Sequence, residues 1–371
     1  MDSKLLVVLV WISLFISACI PIQSIFLGMP DAKDIKRFAK HNIEADSESC
    51  FSFEQSTIDY SQSLKVNDWT TDIPFFVTLP EFVESHKIRS FMVIQRDTIL
   101  YEYYGLPTTS EDLHSSYSIA KCFMSALIGI AIDEQLIESE KDLVLNYIPE
   151  LEGLQYADQL TVEHLLNHTS GIKYRLDLDA TLYYGHNILK SLKKIKFERP
   201  PGQKQHYLNV NLQLLGIVLK RATKQSPSEY LEAKIWKPIG MCSGGVWATD
   251  RKNELEKTYC CLGATAQDYA KFGRLYLNGG NWEGQQIVSN EWYQKSIRRD
   301  TTAGSSYNYN YSWHLGLKEY GDYMAIGLYK QHIYINPKKD LIIVLLNDQE
   351  RKLKAERVNW WYVFRQIADQ L

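Results

Sequence analysis

The stretch Ser118-Ile119-Ala120-Lys121-Cys122-Phe123-Met124-Ser125-Ala126-Leu127-Ile128-Gly129-Ile130-Ala131 decides how this chain is read. From Ser118 to Leu136 the sequence is rich in Ala, Ile, Leu and Met, with no Pro and a single Gly129, which predicts a helix buried over most of its surface. A spacing of three sets the Ser118 hydroxyl and the Lys121 amine one turn apart on the same face. A serine hydroxyl is a weak nucleophile until a base takes its proton, and a lysine can be that base only where a desolvated or cationic setting depresses its pKa. The helix N-terminus favours negative charge developing beside the serine. By itself the four-residue pattern recurs by chance in a chain of 371 residues, and its bland alternative is a helix cap with a surface lysine.

Working outward, Arg89 to Tyr104 carries two runs rich in Val, Ile, Phe and Tyr around the turn-like Gln95-Arg96-Asp97-Thr98, which predicts a β-hairpin. A second hairpin is predicted for Gln331–Ile335 and Leu341–Leu346 around Asn336-Pro337-Lys338-Lys339-Asp340. Tyr307 to His314 alternates aromatic and polar residues like a strand. Helices are predicted around Thr161–Asn167, Asn211–Ala222, Pro227–Trp236 and Thr265–Leu277, and a last amphipathic one around Glu356–Ile367. Strands near both ends with helices between them imply an α+β fold. Its antiparallel sheet would be assembled from both chain termini, with flanking helices and an all-helical lobe inserted at about residues 135–290.

Tyr207-Leu208-Asn209 follows Pro200-Pro201-Gly202 and leads into the helix with Leu214-Leu215-Gly216. Together with the Ser118 stretch this resembles the serine β-lactamase and penicillin-binding superfamily, in particular its class C-related branch of esterases, D-amino-acid peptidases and aminohexanoate-oligomer hydrolases. The likeness extends over Leu160-Thr161-Val162-Glu163-His164-Leu165-Leu166-Asn167-His168-Thr169-Ser170-Gly171-Ile172, Trp236-Lys237-Pro238-Ile239-Gly240-Met241 and Ala264-Thr265-Ala266-Gln267-Asp268-Tyr269. These run in the family's order, spanning roughly Val93 to Asn347.

The resemblance implies the superfamily's fold, no cofactor, no metal, and a covalent acyl-enzyme mechanism. In it Ser118 attacks a carbonyl, Lys121 holds or accepts its proton, and Tyr207 acts as a phenolate-like base and then as acid to the leaving group. Asn209 is expected as a structural or substrate-amide contact. The third element departs from the family: where penicillin-handling members carry Lys-Thr-Gly, this chain has Ala325-Ile326-Gly327, followed by Leu328-Tyr329-Lys330-Gln331. The backbone N–H groups of Ser118 and Leu328 would form the oxyanion hole, with Gly327 and Gln331 bordering the substrate. Ala325 offers no cation to a substrate carboxylate, which leaves Lys330 as the residue to locate. The expected substrate is a small ester or amide. A D,D-peptidase or β-lactamase acting on cell-wall-like substrates, and a non-catalytic envelope binding lipoprotein, are the alternatives.

Composition sets the bounds on these readings. With 45% hydrophobic and 23% charged residues the chain can bury a large core, and a net charge of -3 offers no footprint for nucleic acid. At the amino terminus, Lys4 precedes an apolar run from Leu5 to Leu14 that is too short to span a membrane and has the shape of a signal peptide. The tetrapeptide Ile16-Ser17-Ala18-Cys19 resembles a bacterial lipobox. We therefore expect cleavage of residues 1–18, lipidation of Cys19, and a cell-envelope lipoprotein facing the periplasm whose membrane contact is the anchor alone. A polar leader is expected over 19–70 and the hydrolase domain over 71–371. Besides Cys19 there are five cysteines, an odd number with no C-x-x-C spacing. Adjacent Cys260 and Cys261 are poor partners, so buried free thiols are expected. His164 and His168, four apart, lack a third ligand and are expected to pack at a helix end.

Overall fold

The computed structural model describes residues 30–46, 48–68, 75–252, 254–348 and 358–371. The stretch read as a signal peptide and Cys19 lie outside the described residues. Strands follow in chain order: β1 (Lys40–Ile43), β2 (Glu54–Gln55), β3 (Lys65–Asp68), β4 (Phe75–Thr78), β5 (Ser90–Gln95), β6 (Thr98–Tyr104), β7 (His114–Ser115) and β8 (Gly245–Ala248). Then come β9 (Leu262–Ala264), β10 (Asn281–Trp282), β11 (Gln285–Gln286), β12 (Tyr309–Asn310), β13 (Trp313–Leu315), β14 (Tyr323–Gly327), β15 (Gln331–Asn336) and β16 (Leu341–Leu346).

Both expected hairpins form and meet each other. The eight-stranded sheet has the order β12-β13-β14-β15-β16-β5-β6-β2. Its seam is β16 against β5, antiparallel, with Leu341 opposite Gln95 and Leu346 opposite Ser90. The sheet is thus closed by residues some 250 positions apart, which is the assembly from both chain ends that the pattern implied. The central strands read as unbroken apolar runs because both faces are covered. Met92, Ile94, Ile342 and Val344 face a core shared with the helices Ala120–Asp133 and Ala266–Leu277, whereas Phe91, Val93, Ile343 and Leu345 face Phe82, Trp360 and Phe364 of two outer helices. The single Gly129 of the central helix is a packing requirement: a Cβ there would stand 2.4 Å from the Trp292 ring.

Several expectations are corrected in detail. The aromatic segment Tyr307–His314 is not one strand; β12 and β13 form a tight hairpin whose turn residues Tyr311 and Ser312 both take positive φ. The last helix is Trp360–Gln370, capped by the Asn359 side chain. Within the leader, β1 pairs with β8 and β2 lies parallel to β6, so its backbone is built into the sheets. The mainly helical lobe also contributes β8 and β9 to a small sheet of order β1-β8-β9-β7. Of the five described cysteines, Cys122 alone is a buried free thiol. Cys50 bridges Cys242 across 192 residues, a proximity that only the folded leader creates, and Cys260 is bridged to its neighbour Cys261, which adopts φ 69°. His164 packs at a helix start as expected, where its Nδ1 accepts from the Thr161 N–H.

Candidate active site

Ser118 stands in a 3-10 turn, Tyr117–Ile119, that runs into the helix Ala120–Asp133. Tyr117 just before it has φ 42°, a left-handed value that a residue with a Cβ adopts only when its surroundings impose it. Ser116 supplies that constraint from one side. Its N–H donates to the Leu262 carbonyl at 2.7 Å, its hydroxyl accepts the Leu262 N–H at 3.1 Å, and the same hydroxyl donates to the Tyr117 carbonyl at 3.0 Å. The turn is thereby fixed to β9. From the other side the end of β14 closes in: a Cβ on Gly327 would fall 2.5 Å from the Ser116 carbonyl oxygen, so glycine is what permits the approach. The amide of Leu328 follows directly, beside the Ser118 turn. Ser118 keeps partial exposure between buried neighbours on both sides.

Lys121 is 1% exposed, and its ammonium nitrogen has three acceptors. Nζ donates to Ser118 Oγ at 2.9 Å, Asn209 Oδ1 at 3.1 Å and the Tyr259 carbonyl at 2.8 Å. Burial pushes its pKa down to about 7, opposed by the carboxylate of Asp179. Asp179, on the helix Leu176–Tyr184, is itself raised by burial and accepts from Asn209 Nδ2 at 3.4 Å. An amine that is half neutral near pH 7 and touches a hydroxyl oxygen can take that hydroxyl's proton.

Tyr207 closes the triangle. Lys121 Nζ lies 4.9 Å from its ring centroid, and the Ser118 hydroxyl neighbours its phenol, an influence that lowers the phenol's pKa against the larger effect of burial. Tyr207 as a whole is 43% exposed, while desolvation of its hydroxyl raises its pKa above the usual tyrosine value. The solvent contact tempers that rise without reversing its direction. Burial thus acts against ionisation of the Tyr207 phenol, whereas burial of Lys121 favours loss of its proton. The ring of His168 lies against Tyr207 at 4.4 Å between centroids and 30° between planes. His168 Nδ1 accepts from the Leu208 N–H and from Asn211 Nδ2, both at 3.1 Å, which places the imidazole proton on Nε2. Burial keeps this ring neutral, its pKa far below the usual histidine value.

The structure therefore brings Ser118, Lys121, Tyr207 and Asn209 together and places Gly327 and Leu328 at their edge. Asn209 holds Lys121 rather than facing an open cleft. Gln331 departs from the expectation. It is 1% exposed, and its amide is engaged at both ends by the Asn347 backbone, donating to the carbonyl and accepting from the N–H, so it braces β15 and is not free for a substrate. Lys330 points away as well: its Nζ lies 5.8 Å from the Trp360 ring centroid, on the outer-helix side of the sheet. Four supporting groups escaped sequence reasoning. Ser116, Asp179 and the Tyr259 carbonyl carry no motif at all; His168 reads from the sequence as packing at a helix end, without a part in this site.

The β-lactamase family model matches residues 79–367, and the chain belongs to that family. It is a hydrolase of the serine β-lactamase and penicillin-binding protein superfamily. Among its relatives is the 6-aminohexanoate-dimer hydrolase of Paenarthrobacter ureafaciens, 24% identical over 285 residues that cover 70% of this chain and 72% of that one. Among solved structures, a Bacillus anthracis protein assigned provisionally as a 6-aminohexanoate-dimer hydrolase superposes with a TM-score of 0.78, at 23% identity over 89% of this chain and 90% of the other. A class C β-lactamase superposes with a TM-score of 0.59 at 18% identity, over 79% of this chain and 95% of its own. Both structures share the fold with this chain.

Proposed function

We propose that the protein cleaves ester or amide bonds of small substrates through an acyl-enzyme on Ser118. The observation that carries the reading is the contact of Lys121 Nζ with Ser118 Oγ at 2.9 Å, from a lysine whose burial brings its pKa to about 7. In the acylation step neutral Lys121 takes the Ser118 proton as Oγ bonds to the substrate carbonyl carbon. The carbonyl oxygen gathers charge against the backbone N–H groups of Ser118 and Leu328. Collapse breaks the bond to the leaving group, which takes a proton from Tyr207, and Tyr207 is reprotonated from Lys121. Water then attacks the acyl carbon by the same route in reverse, releasing the acid and restoring the Ser118 hydroxyl.

The substrate class follows from what stands where the Lys-Thr-Gly lysine would be. Ala325 is buried and uncharged, and Lys330 lies against Trp360, so neither meets a penicillin carboxylate. A charge-assisted hydrogen bond contributes about 1.5–3 kcal/mol, and its loss lowers acylation roughly ten- to a hundred-fold. Purified protein should accordingly hydrolyse p-nitrophenyl butyrate with a kcat/KM well above that for nitrocefin. Nitrocefin outpacing the ester would move the assignment to a β-lactamase or D,D-peptidase. The relative named for 6-aminohexanoate dimers supports linear amides as a further class to assay.

We further propose export and lipidation at Cys19, on the residues Ile16-Ser17-Ala18-Cys19. Cys19→Ser should move the protein from the membrane to the soluble periplasmic fraction. Unchanged fractionation contradicts the anchor and leaves the hydrolase reading intact.

A further inference from the structure

A second buried lysine lies outside the Ser118 site. Lys257 is 1% exposed, donates from Nζ to the Leu182 carbonyl at 3.0 Å, and sits 5.1 Å from the Phe38 ring centroid. Asp250 acts on it only at longer range than an ion pair, among the described residues. An ammonium has three donors, and burying one with a single acceptor is costly unless something else answers the charge. Lys257 forms part of the wall of a cavity of about 290 Å³. Phe38, Tyr183 and Tyr184 give that cavity an aromatic lining, and Arg37, Arg251 and His186 complete it. Arg37 is already engaged by Asp31 and Asp34, so Lys257 and the exposed Arg251 are the cations available to a ligand. Neither Ser118, Lys121 nor Tyr207 lines the space.

Aromatic walls and two cations together suit a molecule with an apolar chain and one anionic end. We propose that this cavity binds a short-chain carboxylic acid, its carboxylate on Lys257 and Arg251 and its alkyl chain between Phe38 and the Tyr183–Tyr184 pair. The inference is independent of the acyl-enzyme reading. The site nevertheless adjoins the catalytic floor, because Lys257 lies two residues before Tyr259, whose carbonyl accepts from Lys121.

Calorimetric titration of the purified chain with hexanoate, hexanamide and inorganic phosphate tests the proposal. Hexanoate should bind one site, and hexanamide and phosphate each at least ten-fold more weakly, because one lacks the charge and the other the chain. Lys257→Met and Arg251→Ala should each weaken hexanoate at least ten-fold, while Ser118→Ala should leave its affinity unchanged. Arg251 is exposed, so its variant decides the matter if Lys257→Met does not fold. Hexanamide or phosphate matching hexanoate overturns the proposal. So does hexanoate affinity indifferent to Arg251→Ala, or lost in Ser118→Ala.

Discussion

Two lysines flank the end of β14 and have opposite surroundings. Lys121 is enclosed, held by a hydroxyl, an amide oxygen and a backbone carbonyl, and burial brings its pKa to about 7. Lys330 follows the strand, has φ 67°, and lays its amine over Trp360 in the other layer of the molecule. Both are equally charged residues in the sequence, and both were candidates for the cleft. What separates them is enclosure: around Lys121 water is removed and acceptors are fixed, the conditions that make a lysine a base, whereas Lys330 stays partly exposed with its amine over the Trp360 ring.

The largest effect that can break this comparison is loss of the enclosed amine. Lys121→Met should lower kcat by roughly 10²–10⁴-fold, the range for removing a general base. In the wild type, kcat/KM for p-nitrophenyl butyrate should rise as the pH goes from 6 to 8. A depressed lysine pKa means that the neutral form is gained as pH increases through about 7. A profile that is flat or falling over that interval contradicts Lys121 as the base.

The smallest effect belongs to the other lysine. Lys330→Ala should change kcat/KM for both nitrocefin and the butyrate ester by less than about two-fold, since the cation–π contact it removes, worth about 0.5–1 kcal/mol, lies on the outer-helix side of the sheet and touches no reacting atom. A selective collapse of nitrocefin hydrolysis in that variant would show that Lys330 swings into the cleft and answers the substrate carboxylate.

How far the sequence reveals this site follows from the range over which each interaction acts. Ser118 and Lys121 lie within one helical turn, so their contact is written into a spacing of three. The 90–104 and 331–346 hairpins are likewise local, each announced by apolar runs around turn residues. Long-range devices leave no such trace. Ser116 grips Leu262, 146 residues away, and the carbonyl of Tyr259, whose residue identity is irrelevant to the bond, reaches Lys121 across 138 residues. Gln331 reads as a cleft residue because it follows the glycine strand, yet its amide meets the Asn347 backbone just past the end of the neighbouring strand β16, a partner fixed by sheet register. The aromatic run misleads for another reason: the two central turn residues at positive φ, Tyr311 and Ser312, are neither Gly, Asn nor Asp.

The central claim is that Ser118 is the nucleophile enclosed by this machinery, and covalent labelling tests it most directly. Intact-mass spectra after fluorophosphonate treatment should show a single adduct on the active wild type and none on Ser118→Ala, with turnover of the variant lower by about 10⁶-fold, as when a nucleophile is removed. No adduct on wild type that hydrolyses the ester, or an undiminished adduct on the alanine variant, would contradict the assignment.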